Sequence, residues 1–268
     1  MAIQTIDHVV AALAATSKQK IRYLKNITAL KSAGAFQSGW LATGTPPAGA
    51  APPAYTAGSG YTVSAATTGA MAYTNAATQN YLARASAAST TAAGTLVIAD
   101  RLWACSGMGF AAATYTVTTP GSLPARITDN GLGCELWCEQ SVAAGAASGT
   151  LTANYVDSAA ANVSGVIAAV VSSPLIGQLQ PFPMANNLGI KSLTSIVNSA
   201  TWTSGTFGAV ILKRVIEIPL SNQGFATVLD YAGTALERTP ADACLFAFIT
   251  SANTTAPSVF GHLDIIDT

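Results

Sequence analysis

The feature most clearly lacking from this 268-residue chain is charge. Asp, Glu, Lys and Arg make up 9% of the residues, whereas an ordinary globular domain carries about 25%. Residues 32–83 contain no charged side chain, and the formal net charge of the whole chain is zero. A free soluble surface normally carries mixed charges and a net charge, which limit self-association. We therefore expect neighbouring subunits to cover much of this surface, which favours assembly over catalysis.

Signals for export, membrane insertion and nucleic-acid binding are also missing. A secretory signal places positive charge before its apolar stretch, but here Asp7 and His8 precede the apolar residues 9–15 and the lysines follow them. No window offers the roughly 20 apolar residues that a membrane-spanning helix needs. A net charge of zero gives no electrostatic footprint for nucleic acid. We expect an unprocessed chain made in the cytosol, with neither membrane nor nucleic acid as a partner.

Motifs for common catalytic chemistry are equally scarce. The two histidines, His8 and His262, stand at opposite ends of the chain, and no G-x-S-x-G motif supplies a nucleophilic serine. We expect both histidines to be structural or surface residues. We also expect no cofactor, no metal ion and no enzymatic activity. A hydrolase that uses the carboxylates of Glu135 and Glu139 remains an alternative.

The four cysteines do not show a metal-binding pattern. Cys134 and Cys138 are the only close pair, and their C-E-L-W-C spacing differs from the usual zinc spacing. In a strand, alternate residues share a face, so both thiols would point inward. Glu135, Trp137 and Glu139 would then point outward. We expect buried structural thiols, with metal binding as the alternative.

The first part of the chain, residues 1–41, reads as a helical arm. Apolar residues recur at three- and four-residue steps in two stretches. These are Ile3, Ile6, Val10 and Leu13, followed by Tyr23, Leu24, Ile27 and Leu30. Thr5 is suited to cap the first helix. The arm also holds five basic residues that we predict contact an acidic partner surface, with a solvated helix face as the alternative. They are Lys18, Lys20, Arg22, Lys25 and Lys31.

Residues 42–60, ATGTPPAGAAPPAYTAGSG, form a Pro/Gly/Ala-rich segment of low complexity. Its two Pro-Pro pairs favour extended polyproline geometry, and its glycines and serine loosen the ends. We predict a linker that either separates the arm from the body or lies along a neighbouring subunit.

Residues 61–268 show the pattern of a body built from short strands. The stretches A-T-Y-T-V-T-T and G-T-L-T-A-N-Y-V alternate apolar and polar residues, and turn-forming clusters separate such runs. This pattern predicts a mainly β protein with a β-sandwich or jelly-roll-like body. Short helices are expected near Asn75–Ala88 and Gly224–Tyr231.

The body resembles structural proteins of tailed-bacteriophage particles. The resemblance lies in its Ala/Thr/Gly-rich composition and in two stretches, D-R-L-W-A-C-S-G-M-G-F and L-P-A-R-I-T-D-N-G. The resemblance is one of general sequence character across most of residues 61–268 and not of a diagnostic motif. It implies a head decoration (cement) or minor capsid protein of β-sandwich or jelly-roll type, without catalytic residues. It would place the five basic residues of the arm on the shell and residues 42–60 along it.

The resemblance implies a virion location, with the major capsid protein or other virion subunits as partners and a homo-oligomeric state. One alternative is a tail, neck or baseplate component that binds a host glycan, with exposed Trp137 or Trp202 as stacking platforms.

Overall fold

The structure is a computed structural model of the chain. It describes residues 3, 5–15, 18–27, 32–56, 61–74, 79–91, 94–109, 111–117, 123–145, 149–168, 170, 174–185, 188–199, 201, 204–252 and 254–267. Within these residues the chain forms one α-helix and seventeen β-strands, so the prediction of a mainly β protein is confirmed.

The elements follow one another along the chain in this order: α1 (Ile6–Ala14), β1 (Gln19–Asn26), β2 (Phe36–Ser38), β3 (Thr43–Thr45), β4 (Tyr61–Thr62), β5 (Asn80–Ser89), β6 (Gly94–Gly109), β7 (Ala113–Thr116), β8 (Glu135–Val142), β9 (Leu151–Asp157), β10 (Asn162–Ile167), β11 (Gln178–Pro181), β12 (Ile190–Asn198), β13 (Thr206–Leu220), β14 (Thr227–Leu229), β15 (Arg238–Thr239), β16 (Leu245–Ser251) and β17 (Ser258–Asp267).

The central sheet closes on itself. Its strands pair in the order β13-β8-β11-β2-β16-β6, and β6 pairs in turn with β13, so six antiparallel strands form a closed ring. β4 adds a short strand beside β6. Because the central sheet is closed and lies between two further sheets, a sandwich or jelly-roll arrangement of the body is not confirmed.

The two further sheets flank the ring, and each buries one face against it. The six-stranded sheet has the order β14-β5-β17-β1-β3, with β15 also paired to β5. The four-stranded sheet has the order β10-β9-β12-β7. One apolar core joins the six-stranded sheet to the ring through residues such as Leu263 and Ile98, and a second joins the four-stranded sheet to it through Tyr155 and Phe207. A third core, around Phe248, draws on all six ring strands and fills the ring.

The first predicted helix is present as α1. Thr5 is its N-cap, and the Thr5 hydroxyl accepts the backbone N–H of His8 at 3.3 Å. Val9 of α1 is buried against Ile266 of β17 and Ala83 of β5. The helix therefore covers one end of the six-stranded sheet, on the side that faces away from the ring.

The second predicted helix is wrong, because residues 19–26 form strand β1 in the interior of the six-stranded sheet. β1 pairs with the C-terminal strand β17 from Gln19↔Ile265 to Asn26↔Ser258, and with β3 on its other side. Tyr23 and Ile27 are buried towards the ring, and Leu24 lies on the opposite face. The helical arm is therefore restricted to α1 within the described residues, while the domain limits at 41 and 60 stay a prediction.

The Pro/Gly/Ala-rich segment lies along its own chain over its described part. The indole N–H of Trp40 donates to the Ala50 carbonyl at 3.0 Å, and Gly49 approaches the same ring closely enough that a Cβ there would lie 2.2 Å from it. Ser106 of β6 donates to the Pro52 carbonyl at 2.5 Å. These contacts show that Gly49, Ala50 and Pro52 pack on the body, while the division of the chain into arm, linker and body stays a prediction.

Both predicted short helices are also replaced by strands. Residues 80–88 belong to β5, and residues 227–229 form β14, which pairs with β5 through Val228↔Ser86. Residues 75–78 of the first stretch lie outside the described residues. The small side chains of β5 allow it to pack between the ring on one face and α1 on the other.

Candidate functional site

The face of the six-stranded sheet that points away from the ring is called the outer face here. It carries the side chains of Lys20, Arg22 and Leu24 on β1, Phe260, His262 and Asp264 on β17, Arg84, Ser86 and Ala88 on β5, and Val228 on β14. The alternation of β1 and β17 produces this face, because their intervening residues, such as Tyr23 and Leu263, point into the core. One end of the face lies under α1, and the remainder carries exposed side chains such as Arg22 and Val228.

The structure separates the five predicted contact residues. Lys20 and Arg22 are exposed on the outer face, and Lys18 is half-buried just before β1. Lys31 lies outside the described residues. Lys25 points to the opposite side of β1, so the five side chains do not form one surface.

Lys25 is removed from the predicted contact set by its burial. It is 1% exposed, and its ammonium group donates to the carbonyl oxygens of Ala42 at 3.2 Å, Pro46 at 2.8 Å and Pro47 at 3.1 Å. Burial lowers the pKa of Lys25 to about 8. The lysine therefore holds the turn after β3 and is not available to a partner, which corrects the prediction from sequence.

Cations on the outer face line up in two cross-strand rows. In the first row, Lys20 lies opposite Asp264, which lies opposite Arg84. In the second, Arg22 lies opposite His262, which lies opposite Ser86. Among the described residues, Lys20, Arg22 and Arg84 form no ion pair. The face therefore holds unneutralised positive charge in a chain that has little charge elsewhere.

His262 lies at the centre of these cations. Its Nδ1 is 2.6 Å from the Ser86 hydroxyl oxygen, which also accepts the His262 backbone N–H at 3.2 Å. Burial lowers the pKa of His262, and the charges of Lys20, Arg84 and Arg22 lower it further against the effect of Asp264. The imidazole is therefore neutral at pH 7.

The contact between Ser86 and His262 was not foreseen from sequence. The two residues are 176 positions apart, and only the pairing of β5 with β17 brings them together. Nε2 of His262 is buried, and within the described residues it has no hydrogen-bond partner, so no carboxylate completes a catalytic triad there. Ser86 itself is 5% exposed.

Large apolar side chains flank the cations on the outer face. Leu24 and Phe260 lie directly opposite each other and are 38% and 39% exposed, while Val228 is 55% exposed. Phe260 and Val228, together with Arg22 and His262, border a shallow groove of about 440 Å³, and Leu24 lies beside it, opposite Phe260. An open sheet face that combines apolar and cationic side chains has the chemistry of a protein-binding surface.

A second concentration of charge lies beside β6 and β13, around a cavity of about 460 Å³. Seven charged residues line it: Asp100, Arg126, Asp129, Lys213, Arg214, Glu237 and Arg238. Most of them neutralise one another. Arg126 holds Asp100 through two bonds of 2.8 and 2.9 Å, and Lys213 reaches Asp129 at 2.9 Å. Arg214 pairs with Glu135 at 2.8 Å. This cluster fixes the loop after residue 123 to the ring.

A buried ion pair occupies the interior of the ring. Arg101 is fully buried, and its Nη2 and Nη1 donate to the two carboxylate oxygens of Glu139 at 2.5 and 3.3 Å. The guanidinium also lies 4.8 Å from the ring centroid of Trp40. Glu139 was expected to point outward. It points into the ring, because β8 is buried on both faces.

Trp137 shares the inward face of β8 with Glu139 and is 0% exposed, so it cannot be the glycan-stacking platform considered from sequence. Trp202, the other platform, lies outside the described residues. Glu135 and Glu139, the pair considered for hydrolysis, are each held by an arginine.

The four cysteines are free thiols in the protein core. Burial raises the pKa of Cys105, Cys134 and Cys244 to about 12 and that of Cys138 still higher. The prediction of buried thiols is confirmed. Across the described ranges, no group of three or more His, Cys, Asp or Glu side chains is placed to hold a metal ion. The helix in the described part of the chain is too short to cross a membrane.

The chain shows only weak similarity to known proteins. No protein-family model matches the chain, and no curated protein matches it either. The VP2 subviral particle of infectious bursal disease virus aligns with 94% of this chain and 80% of its own, at 10% identity and a TM-score of 0.24. The structure of the Gx strain of that virus covers 92% and 80%, at 10% identity and a TM-score of 0.20. Likenesses this weak carry no argument about function.

Proposed function

We propose that this chain is a non-enzymatic structural subunit of a virus particle, a capsid decoration (cement) or minor shell protein that binds and stabilises neighbouring capsid subunits. The observation that carries the proposal is the outer face. It combines open apolar side chains, such as Phe260 and Val228, with unneutralised cations in a protein whose surface is otherwise poor in charge.

The use of charge within the fold supports an assembly role. The side chains of Arg101 and Arg126 are 0% and 7% exposed, and each forms an ion pair with a buried carboxylate. Lys25 is buried among carbonyl oxygens. These pairs lower the number of charges left at the surface below the already small total. A surface of this kind favours contact with other subunits over life as a free monomer.

The non-enzymatic part of the proposal rests on how the potential catalytic groups are used. Glu139 is tied to Arg101 inside the ring, and Ser86 and His262 form a pair without a third member among the described residues. Burial raises the pKa values of the thiols, which therefore stay protonated and weakly nucleophilic at pH 7.

The proposal is tested by binding to empty shells of the source virus. Purified protein is expected to co-sediment with the shells and to raise their melting temperature in calorimetry, because a ligand that binds only the assembled state stabilises it. Lys20→Glu should weaken this binding, since Lys20 is exposed on the outer face. Lys191→Glu, an exposed reversal on the four-stranded sheet, is the matched control and should leave binding unchanged. Failure of the wild-type protein to bind shells or to change their melting would refute the proposal.

A further inference from the structure

A second unpartnered feature lies on the same side of the molecule as the groove of the outer face. Helix α1 buries Val9 against the sheet and turns Ile6 and Val10 away from it, leaving them 60% and 55% exposed. These two residues are four positions apart, so they form one apolar stripe. Asp7, at the edge of this stripe, is exposed as well. The helix therefore presents apolar side chains and a negative charge.

The groove offers the complementary set. Phe260 and Val228 line it with exposed apolar surface, and Leu24 lies beside Phe260. Arg22 also lines the groove and forms no ion pair among the described residues. The stripe of α1 and the groove are therefore both apolar, and the charges beside them are opposite in sign. The stripe and the groove do not meet within one molecule in this structure, in which Ile6 and Val10 stay exposed and neither lines the groove.

We propose that two copies of this chain pair face to face through their outer faces, with the Ile6–Val10 stripe of each copy in the groove of the other and Asp7 beside the partner copy's Arg22. This inference rests on the proposed function, since it names one partner of the same surface. Because stripe and groove lie on one side of the molecule, a two-fold axis allows both contacts to form at once.

The pattern of charge argues for a second copy over a nucleic acid. The cations of the outer face occupy only two cross-strand rows, and Asp264 lies between Lys20 and Arg84 in one of them. A phosphate backbone is normally tracked by a longer run of positive charge. Two short rows of cations are a better match for a single carboxylate next to apolar side chains than for a phosphate backbone. Helix α1 supplies that carboxylate and those apolar side chains.

The size of the face sets the expected strength of the contact. Five adjacent strands spaced about 4.8 Å apart, with about seven residues per strand on average at roughly 3.4 Å per residue, give an area of about 500 Å² per copy. The pair would then bury about 1,000 Å², which is near the lower end for specific interfaces. We therefore expect a reversible dimer with a dissociation constant on the order of micromolar.

A charge-exchange experiment tests the proposal. Sedimentation velocity of the full chain between about 1 and 100 µM should show a monomer–dimer equilibrium. Arg22→Glu and Asp7→Lys, each alone, should weaken dimerisation at least about tenfold, because each places like charges together. The double variant should recover most of the lost affinity. Lys191→Glu is the control for charge reversal and should dimerise like the wild type, and circular dichroism verifies the fold of every variant.

The proposal is overturned if the wild-type chain stays monomeric at about 100 µM. It is also overturned if the double variant is as weak as the single variants, or if neither reversal changes the dimer. These outcomes are separate from a failure of the proposed function. A chain that binds shells as a strict monomer refutes only the pairing, and a chain that dimerises without binding shells refutes only the structural role.

Discussion

The buried ion pair inside the ring gives the sharpest stability prediction. Arg101→Met would keep most of the side-chain volume but leave the Glu139 carboxylate without its two donors, at a position 4% exposed. Removing one partner of a buried pair typically costs about 3–5 kcal/mol, because the remaining charge is neither solvated nor paired. We expect the free energy of unfolding to fall by this amount, which is a large fraction of the stability of an ordinary domain.

The assay is urea unfolding followed by tryptophan fluorescence, since Trp40 and Trp137 both lie in the core that fills the ring. Arg101→Met, Glu139→Leu and the double variant form a double-mutant cycle. The double variant should be within about 1–2 kcal/mol of the wild type, because it removes both desolvated charges together. If the two single losses simply add in the double variant, the pair does not act as a coupled unit and the reasoning is wrong.

Three further predictions follow from other residues. Gly261→Ala should destabilise the protein by about 2 kcal/mol or more in the same assay, because its Cβ would lie 1.9 Å from the Ser86 carbonyl oxygen. Gly224→Ala is the control: its Cβ would meet no atom within 4 Å, so its effect reports only the strain of an alanine at positive φ. Because the pKa of Lys25 is lowered to about 8, the unfolded state binds more protons between pH 8 and 10.5. The stability of the wild type relative to Lys25→Met should therefore rise across that range, by at most about 3 kcal/mol, and a flat difference would contradict the assignment. His262 also has a lowered pKa, so the wild type should lose stability relative to His262→Gln as the pH falls below 6.5, and a difference of opposite sign would show that the imidazole is not held neutral.

The strand β1 shows why part of the fold could not be read from the sequence. Core-facing Ile21, Tyr23 and Lys25 of β1, and Ile27 directly after it, alternate as a strand requires, but the lysine interrupts the apolar pattern. The spacing of Tyr23, Leu24 and Ile27 then resembled a helix. The true partner strand β17 lies at the other end of the chain, so the pairing that decides the structure is invisible to local periodicity. By contrast, α1 was predictable, because its cap and its apolar spacing are local.

The charged residues in the interior of the ring could not be predicted from the sequence for a related reason. The charges of Glu135 and Glu139 suggest that one face of β8 is solvent-exposed, yet Arg101 donates to the Glu139 carboxylate and Arg214 donates to that of Glu135. A charge in a sequence indicates exposure only when no partner is buried with it. The candidate site was predictable to the extent of Lys20 and Arg22. The rest of the outer face depends on strand pairing over long sequence distances.

Quantitative mass spectrometry of purified virus particles, combined with particle images, tests the structural role most directly. We predict that this chain is present in intact particles at a fixed copy number relative to the shell protein, and that density for it lies against neighbouring subunits. Absence of the chain from purified particles, with all of it recovered as free protein, would contradict the proposed structural role.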